Sequence, residues 1–128
     1  MTIDDQPPPA QNTGHPPTWP IVIANIRSTF DAIPKDLRDA GCDAELCAAI
    51  VADMETRDRI GRERYGTPLA PFNGRDHLVD AYQELLDAAV YLRNWLEEHG
   101  PGRSPIEEIY AVTLSSIMRL RFLIKTRP

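Results

Sequence analysis

Two pairs of carboxylates with the same spacing are the residues of this sequence best suited to chemistry. Glu55 and Asp58 form the first pair, and Glu84 and Asp87 form the second, about one helix length downstream. Residues three apart share a face of a helix, so two helices can point four carboxylates at one place. Such oxygen-rich sites suit Mg²⁺, which binds carboxylates, waters and substrate phosphates. The spacing therefore favours phosphate chemistry, although solvated helix faces also carry acidic pairs of this kind.

Composition narrows the class of protein. A chain of 128 residues predicts one domain with a real core, and its net charge of −5 argues against nucleic-acid binding. No apolar run reaches the roughly 18 residues of a spanning helix, and the acidic start lacks the pattern of a signal peptide. Cys42 and Cys47 do not have a zinc-ligand spacing. We therefore expect a cytoplasmic protein with reduced thiols, away from membranes.

The first 17 residues differ from the rest in composition. They contain five prolines and Gly14 among polar residues, which is typical of a segment that cannot build a core. We predict a disordered Pro-rich tail over 1–17 and a single helical domain over 18–128.

The body of the chain is predicted to be all-α, with four to five helices forming a bundle. A first helix begins near Thr18 and ends before Pro34, and a short helical turn covers 35–40. Residues 21–23 are also compatible with a short strand, but no partner strand is evident, so we expect a helix there.

A second helix is predicted from Asp43, its N-cap, to Tyr65, with Gly66 as its stop. At about 100° per residue, Asp58 falls in the middle of the apolar stripe of this helix. A buried carboxylate costs several kcal/mol unless it is paired or bound to metal. Two interpretations follow for Asp58: a metal ligand, or an ion pair with an arginine such as Arg57 or Arg62.

A loop over 66–75 leads into a third helix over 76–98. Asp80, Glu84 and Asp87 share the narrower face of that helix, opposite a wide apolar face. Three like charges on one strip repel one another. Tyr91 and Trp95 continue or border the strip, which argues against a face that only meets water.

The fourth helix is predicted to start with a capping box, Ser104-Pro105-Ile106-Glu107. This helix is apolar on all sides, which indicates burial against more than one partner. In a chain of this size, we interpret that pattern as a subunit interface.

The stretch 53–93 resembles the MazG-like all-α nucleoside triphosphate pyrophosphohydrolases, in particular the small phage and prophage type. The segments 64–69 (RYGTPL), 73–76 (NGRD) and 80–87 (DAYQELLD) carry the likeness, over about a third of the chain. The second motif of the family, Glu-x-x-Asp, is matched by Glu84 and Asp87. Its first motif, Glu-Glu-x-x-Glu, is matched only in part, by Glu55 and by Asp58 in place of the last Glu.

This resemblance implies a MazG-like fold, Mg²⁺ as cofactor with Mn²⁺ as the alternative, and a homodimer or homotetramer. It also implies cleavage of a nucleoside or deoxynucleoside triphosphate between the α and β phosphorus atoms, yielding a monophosphate and pyrophosphate. Purine deoxynucleotides such as dGTP or dATP are candidate substrates in a phage context. The alternatives are a non-catalytic helical interaction protein and a hydrolase of another pyrophosphate metabolite.

Residue roles follow from the resemblance as expectations. The proposed metal ligands are Glu55, Asp58, Glu84 and Asp87. Asp58 or Asp80 is expected to accept the proton of the attacking water. The proposed substrate-binding residues are three arginines, whose guanidinium groups match phosphate geometry, two tyrosines for the base, and one asparagine: Arg62, Arg64, Arg75, Tyr65, Tyr91 and Asn73.

Overall fold

Five α-helices make up the regular structure of the computed structural model, which describes residues 6–11 and 13–128. They are α1 (Trp19–Asp31), α2 (Lys35–Asp39), α3 (Ala44–Tyr65), α4 (His77–His99) and α5 (Ser104–Thr126). Within these ranges the chain has no strand, and residues 21–23 lie in α1, so the all-α prediction is confirmed. None of the helices described is both long enough and apolar enough to cross a membrane.

Local capping chemistry sets the ends of the two helices that carry the acidic pairs. The carboxylate of Asp43 accepts a hydrogen bond from the Leu46 amide at 3.1 Å and caps α3, which ends at Gly66 in the left-handed region with φ of 72°. Asp76 caps α4 in the same way, accepting from the Val79 amide at 3.3 Å. Both starting residues were predicted from the sequence.

The start of α5 differs in detail from the predicted capping box. Ser104 is the first helical residue, and the N-cap position is taken by Arg103, without a side-chain cap. Glu107 instead accepts a hydrogen bond from the Gly102 amide at 3.2 Å, two residues before the helix. Glu107 therefore caps the helix start as a capping-box glutamate does, but it accepts from a residue further upstream than predicted. Pro105 lies in the first turn of the helix.

Two compact units are distinguished by their internal packing. Residues 7–74 form the first unit, in which α1 packs against α3 and Val51 and Ala70 are buried. Gln6 and residues 75–128 belong to the second unit, in which α4 packs against α5 and Val79 and Leu96 are buried. The single domain over 18–128 stays a prediction.

Residues of the Pro-rich segment lie against the loop that follows α3. The Ala10 amide donates to the Asn73 carbonyl at 2.7 Å, and the Gln11 side chain donates to the Tyr65 carbonyl at 3.2 Å. The ring of His15 lies 4.3 Å from that of Phe72, centroid to centroid. Disorder was predicted over 1–17; its described part makes these contacts, and residues 1–5 and 12 lie outside the described residues.

Candidate functional site

The upstream acidic pair lies on the C-terminal half of α3. Glu55 is exposed, whereas the side chain of Asp58 is 21% exposed. The Asp58 carboxylate accepts a hydrogen bond from Arg62 Nε at 2.9 Å, one helical turn along. Of the two interpretations of Asp58, the ion pair with Arg62 is therefore present in the structure.

The downstream pair, Glu84 and Asp87, lies on α4 with both side chains exposed to solvent. Neither carboxylate has a hydrogen bond or an ion pair with any part of the chain that the structure describes. Tyr91 follows on the same strip and is 70% exposed. This strip offers two uncommitted carboxylates beside an accessible aromatic ring.

Asp80 is the first residue of the same strip, and its carboxylate is bound by two other side chains. Its carboxylate accepts from Arg75 Nε at 2.9 Å and from Arg75 Nη2 at 2.7 Å, which is a bidentate ion pair. The side-chain amide of Gln6 donates to Asp80 Oδ1 at 2.8 Å. One of the two proposed proton acceptors and one proposed phosphate ligand are therefore bound to each other.

A second ion pair joins the end of α5 to the start of α4. Arg127, at the end of α5, donates to both carboxylate oxygens of Asp76, at the start of α4. The Arg127 guanidinium lowers the pKa of Asp76 to about 2, assisted by the Val79 amide, and burial opposes the shift. In turn, Asp76 raises the pKa of Arg127.

The remaining predicted substrate-binding residues differ in accessibility. The guanidinium of Arg64 lies over the ring of Tyr65, 5.2 Å from its centroid, and Tyr65 is 41% exposed. Arg64 makes no ion pair within 6–11 and 13–128. Asn73 is only 2% exposed, so its side chain is buried rather than accessible at the surface.

The acidic pairs belong to different units, with Glu55 and Asp58 in the first and Glu84 and Asp87 in the second. Over its described residues, neither unit by itself brings three side chains of His, Cys, Asp or Glu together in a group that could hold a metal ion. The contacts that do join predicted site residues are Asp58 with Arg62, Asp80 with Arg75, and Arg64 with the ring of Tyr65.

Three features were not anticipated from the sequence. Gln6 binds Asp76 and Asp80 across 70 and 74 residues, and no local pattern indicates such a contact. The pairing of Arg127 with Asp76 is equally non-local. Phe72 has φ of 61° and is 76% exposed, which is an unusual conformation for a bulky residue. The neighbouring Asn73-Gly74 signals a turn but not a positive φ at Phe72.

The first unit also contains a cavity of about 370 Å³ near the start of α3. Both cysteines line it and are free thiols. Arg27 and Arg38 also line the cavity, and neither forms an ion pair with the described residues. Asp31 and Asp43 are the acidic residues of the lining, and the Asp43 side chain also caps α3.

No protein-family model, no curated protein and no solved structure matches this chain.

Proposed function

We propose that this chain is a Mg²⁺-dependent nucleoside triphosphate pyrophosphohydrolase that releases a nucleoside monophosphate and pyrophosphate. The observation that carries the proposal is the pair Glu84 and Asp87, which matches the family motif Glu-x-x-Asp and keeps both carboxylates exposed and uncommitted on α4. Asp58 and Asp80, by contrast, are each paired with an arginine. The proposal includes a MazG-like helical bundle and a phage-type context with dGTP or dATP as candidate substrates.

The donor chemistry of the acidic residues fits Mg²⁺. Glu84 and Asp87 supply hard oxygen ligands from α4, and Glu55 and Asp58 are the proposed ligands from α3. Glu55 is exposed, like the downstream pair, whereas Asp58 has to exchange its contact with Arg62 to become a ligand. When bound, the metal supplies neutralisation of phosphate charge and a water of lowered pKa.

Residues of the chain itself then bind and orient the substrate. Arg64 is the proposed first phosphate contact, because its guanidinium has no carboxylate partner among the described residues. Arg62 and Arg75 become available when Asp58 and Asp80 release them. Released Asp80 is the proposed proton acceptor, and Tyr91 offers an exposed ring for stacking on the base.

A direct test compares two substitutions on α4. The wild-type protein is incubated with each common nucleoside and deoxynucleoside triphosphate and Mg²⁺, and released pyrophosphate is measured. We expect Glu84→Gln to lower the rate at least about 100-fold, because a metal ligand is lost. The matched control is Glu98→Gln, at an exposed position near the end of the same helix, which is expected to keep the wild-type rate.

Metal binding provides a readout that does not depend on turnover. A ligand that binds only the folded state raises its melting temperature, so Mg²⁺ should stabilise the wild type and the Glu98→Gln variant. The double variant Glu84→Gln, Asp87→Asn should lose that stabilisation. Absence of pyrophosphate with every triphosphate at high protein concentration rejects the hydrolase. Equal activity of the Glu84→Gln variant rejects the site.

A second candidate function is a non-catalytic helical interaction protein. Two observations favour it: the carboxylates of Asp58 and Asp80 are held by arginines, and α5 exposes large apolar side chains such as Met118 and Phe122. A protein of this kind shows neither pyrophosphate release nor stabilisation by Mg²⁺. Hydrolysis of a different pyrophosphate metabolite is the third option, and substrate profiling separates it from the first.

A further inference from the structure

One face of α5 carries six exposed residues in a regular row. Their spacings are 3, 4, 3, 4 and 3, which is the heptad pattern of a helix that packs along another helix. We call them the outer row: Glu108, Ala111, Ser115, Met118, Phe122 and Lys125. Met118 is 73% exposed and Phe122 is 63% exposed.

The opposite side of α5 accounts for its packing within the second unit. The residues on that side are buried or half-buried, with Thr113 at 8% exposure, and α5 packs against α4. They form a second row with heptad spacing: Ile106, Tyr110, Thr113, Ile117, Leu120 and Ile124. The outer row lies about 150° away around the helix, so α4 cannot cover it.

The outer row is complementary to itself when it is reversed. Glu108 and Lys125 lie at its two ends, the small residues Ala111 and Ser115 follow Glu108, and the larger Met118 and Phe122 precede Lys125. Glu108 and Lys125 make no ion pair elsewhere within 6–11 and 13–128. Three pairs of the outer row have the same midpoint along the helix, between residues 116 and 117: Glu108 with Lys125, Ala111 with Phe122, and Ser115 with Met118. A two-fold axis at that point therefore places the members of each pair opposite each other in two antiparallel copies.

We infer that the outer row is the contact between two copies of this chain, with their α5 helices antiparallel. In this register Glu108 faces Lys125 of the second copy, Ala111 faces its Phe122, and Ser115 faces its Met118. Small side chains thus meet large ones over about 26 Å of helix, and each end carries an ion pair. A contact of this kind is isologous and closes as a dimer.

Two alternatives on the same helix fit less well. A parallel pair about the same row places Glu108 against Glu108 and Lys125 against Lys125, which is repulsive. The neighbouring exposed row with Ile109, Val112 and Leu123 has Arg119 within its length, so a contact there would bury a charged side chain. The contact does not depend on the proposed activity, and its failure leaves the hydrolase proposal untouched.

The test measures the mass of the full-length chain as a function of concentration, by sedimentation or light scattering. We expect Met118→Asp to raise the dimer dissociation constant at least about 100-fold, since a desolvated charge enters the seam. Val112→Asp is the matched control: Val112 is 66% exposed on another face of α5, and its variant should dimerise like the wild type. Circular dichroism checks that each variant keeps its helices.

Charge exchange tests the register itself. Glu108→Lys or Lys125→Glu alone turns two attractive contacts of the dimer into repulsive ones and should weaken it about tenfold. The double variant Glu108→Lys, Lys125→Glu restores both pairs and should return to within about threefold of the wild type. A wild type that is monomeric at about 100 μM, a Val112→Asp variant that dissociates while Met118→Asp does not, or no rescue in the double variant overturns the inference.

Discussion

The guanidinium of Arg75 donates two hydrogen bonds to the carboxylate of Asp80, from Nε to Oδ2 at 2.9 Å and from Nη2 to Oδ1 at 2.7 Å. Both side chains are about three-quarters buried, at 25% and 29% exposure. A bidentate pair in that setting is less screened than a surface pair and holds the start of α4 to the loop before it.

Breaking this pair is expected to destabilise the protein. Arg75→Gln and Asp80→Asn should each lower the free energy of unfolding by about 1 kcal/mol, and the double variant should lose less than their sum. Urea unfolding of the four proteins in the cycle measures the coupling. The comparison pair is Lys35 with Asp39, whose side chains are 81% and 63% exposed, and its coupling should lie below about 0.5 kcal/mol. Equal couplings contradict the prediction.

Gln6 is expected to stabilise the first turn of α4. Its side-chain amide accepts from the Asp76 backbone amide and donates to the Asp76 carbonyl and to the Asp80 carboxylate, and Gln6→Ala removes all three contacts. We predict a loss of about 1 kcal/mol and faster hydrogen exchange at the start of α4. The control is Gln11→Ala, which removes one contact to the Tyr65 carbonyl in the other unit. Exchange at the start of α4 should be unchanged in that variant.

Asp76 makes the stability of the folded state depend on pH in the acid range. Its pKa is about 2 when folded, against an ordinary value of 3.8, so its contribution is complete above about pH 4 and is lost as the pH falls through 2. The shift corresponds to about 2 kcal/mol, which we reduce to about 1 because Arg127 is 38% exposed and screened by solvent.

The variant Asp76→Asn isolates this effect, because asparagine keeps the helix cap and removes only the charge. The difference in unfolding free energy between wild type and variant should be about 1 kcal/mol at pH 7 and should vanish near pH 2. Urea titrations at both pH values measure it. A difference that grows as the pH falls has the wrong sign for a carboxylate of lowered pKa.

Two glycines of the α3 region should respond in opposite directions to the same change. Gly66 ends α3 with φ of 72°, so Gly66→Ala is strained and should cost about 1 kcal/mol. Gly61 lies inside α3, and a Cβ there meets no atom within 4 Å, so Gly61→Ala should add up to about 1 kcal/mol. Thermal unfolding of both variants tests the pair, and a change of the same sign in both contradicts it.

Helix positions were predictable because their signals are local. Asp43 and Gly66 bound α3 through capping and a left-handed turn, each of which depends on a few neighbouring residues. The start of α5 was predicted less accurately, since Ser104 was expected to be the N-cap and the structure has Arg103 at that position.

The fate of each candidate carboxylate was not predictable to the same degree. Sequence periodicity places Asp58 on the apolar stripe of α3, but it does not decide between a metal and an arginine as its partner; the structure has Arg62. The strip on α4 is regular in sequence, yet Asp80 is bound to Arg75 and Gln6 while Glu84 and Asp87 are uncommitted. A helical wheel predicts the face of the helix on which a residue lies, but it does not predict which residue from a distant part of the sequence contacts it.

By itself, the sequence determined an all-α chain, the approximate bounds of its helices and the two acidic pairs, because helix formation and capping depend on residues within one or two turns. Only the tertiary structure decided that Gln6 meets Asp80, that Arg127 meets Asp76, and that one face of α5 is covered by α4 while its outer row is exposed. These contacts join residues separated by tens of positions, and packing of whole helices selects them rather than any local preference.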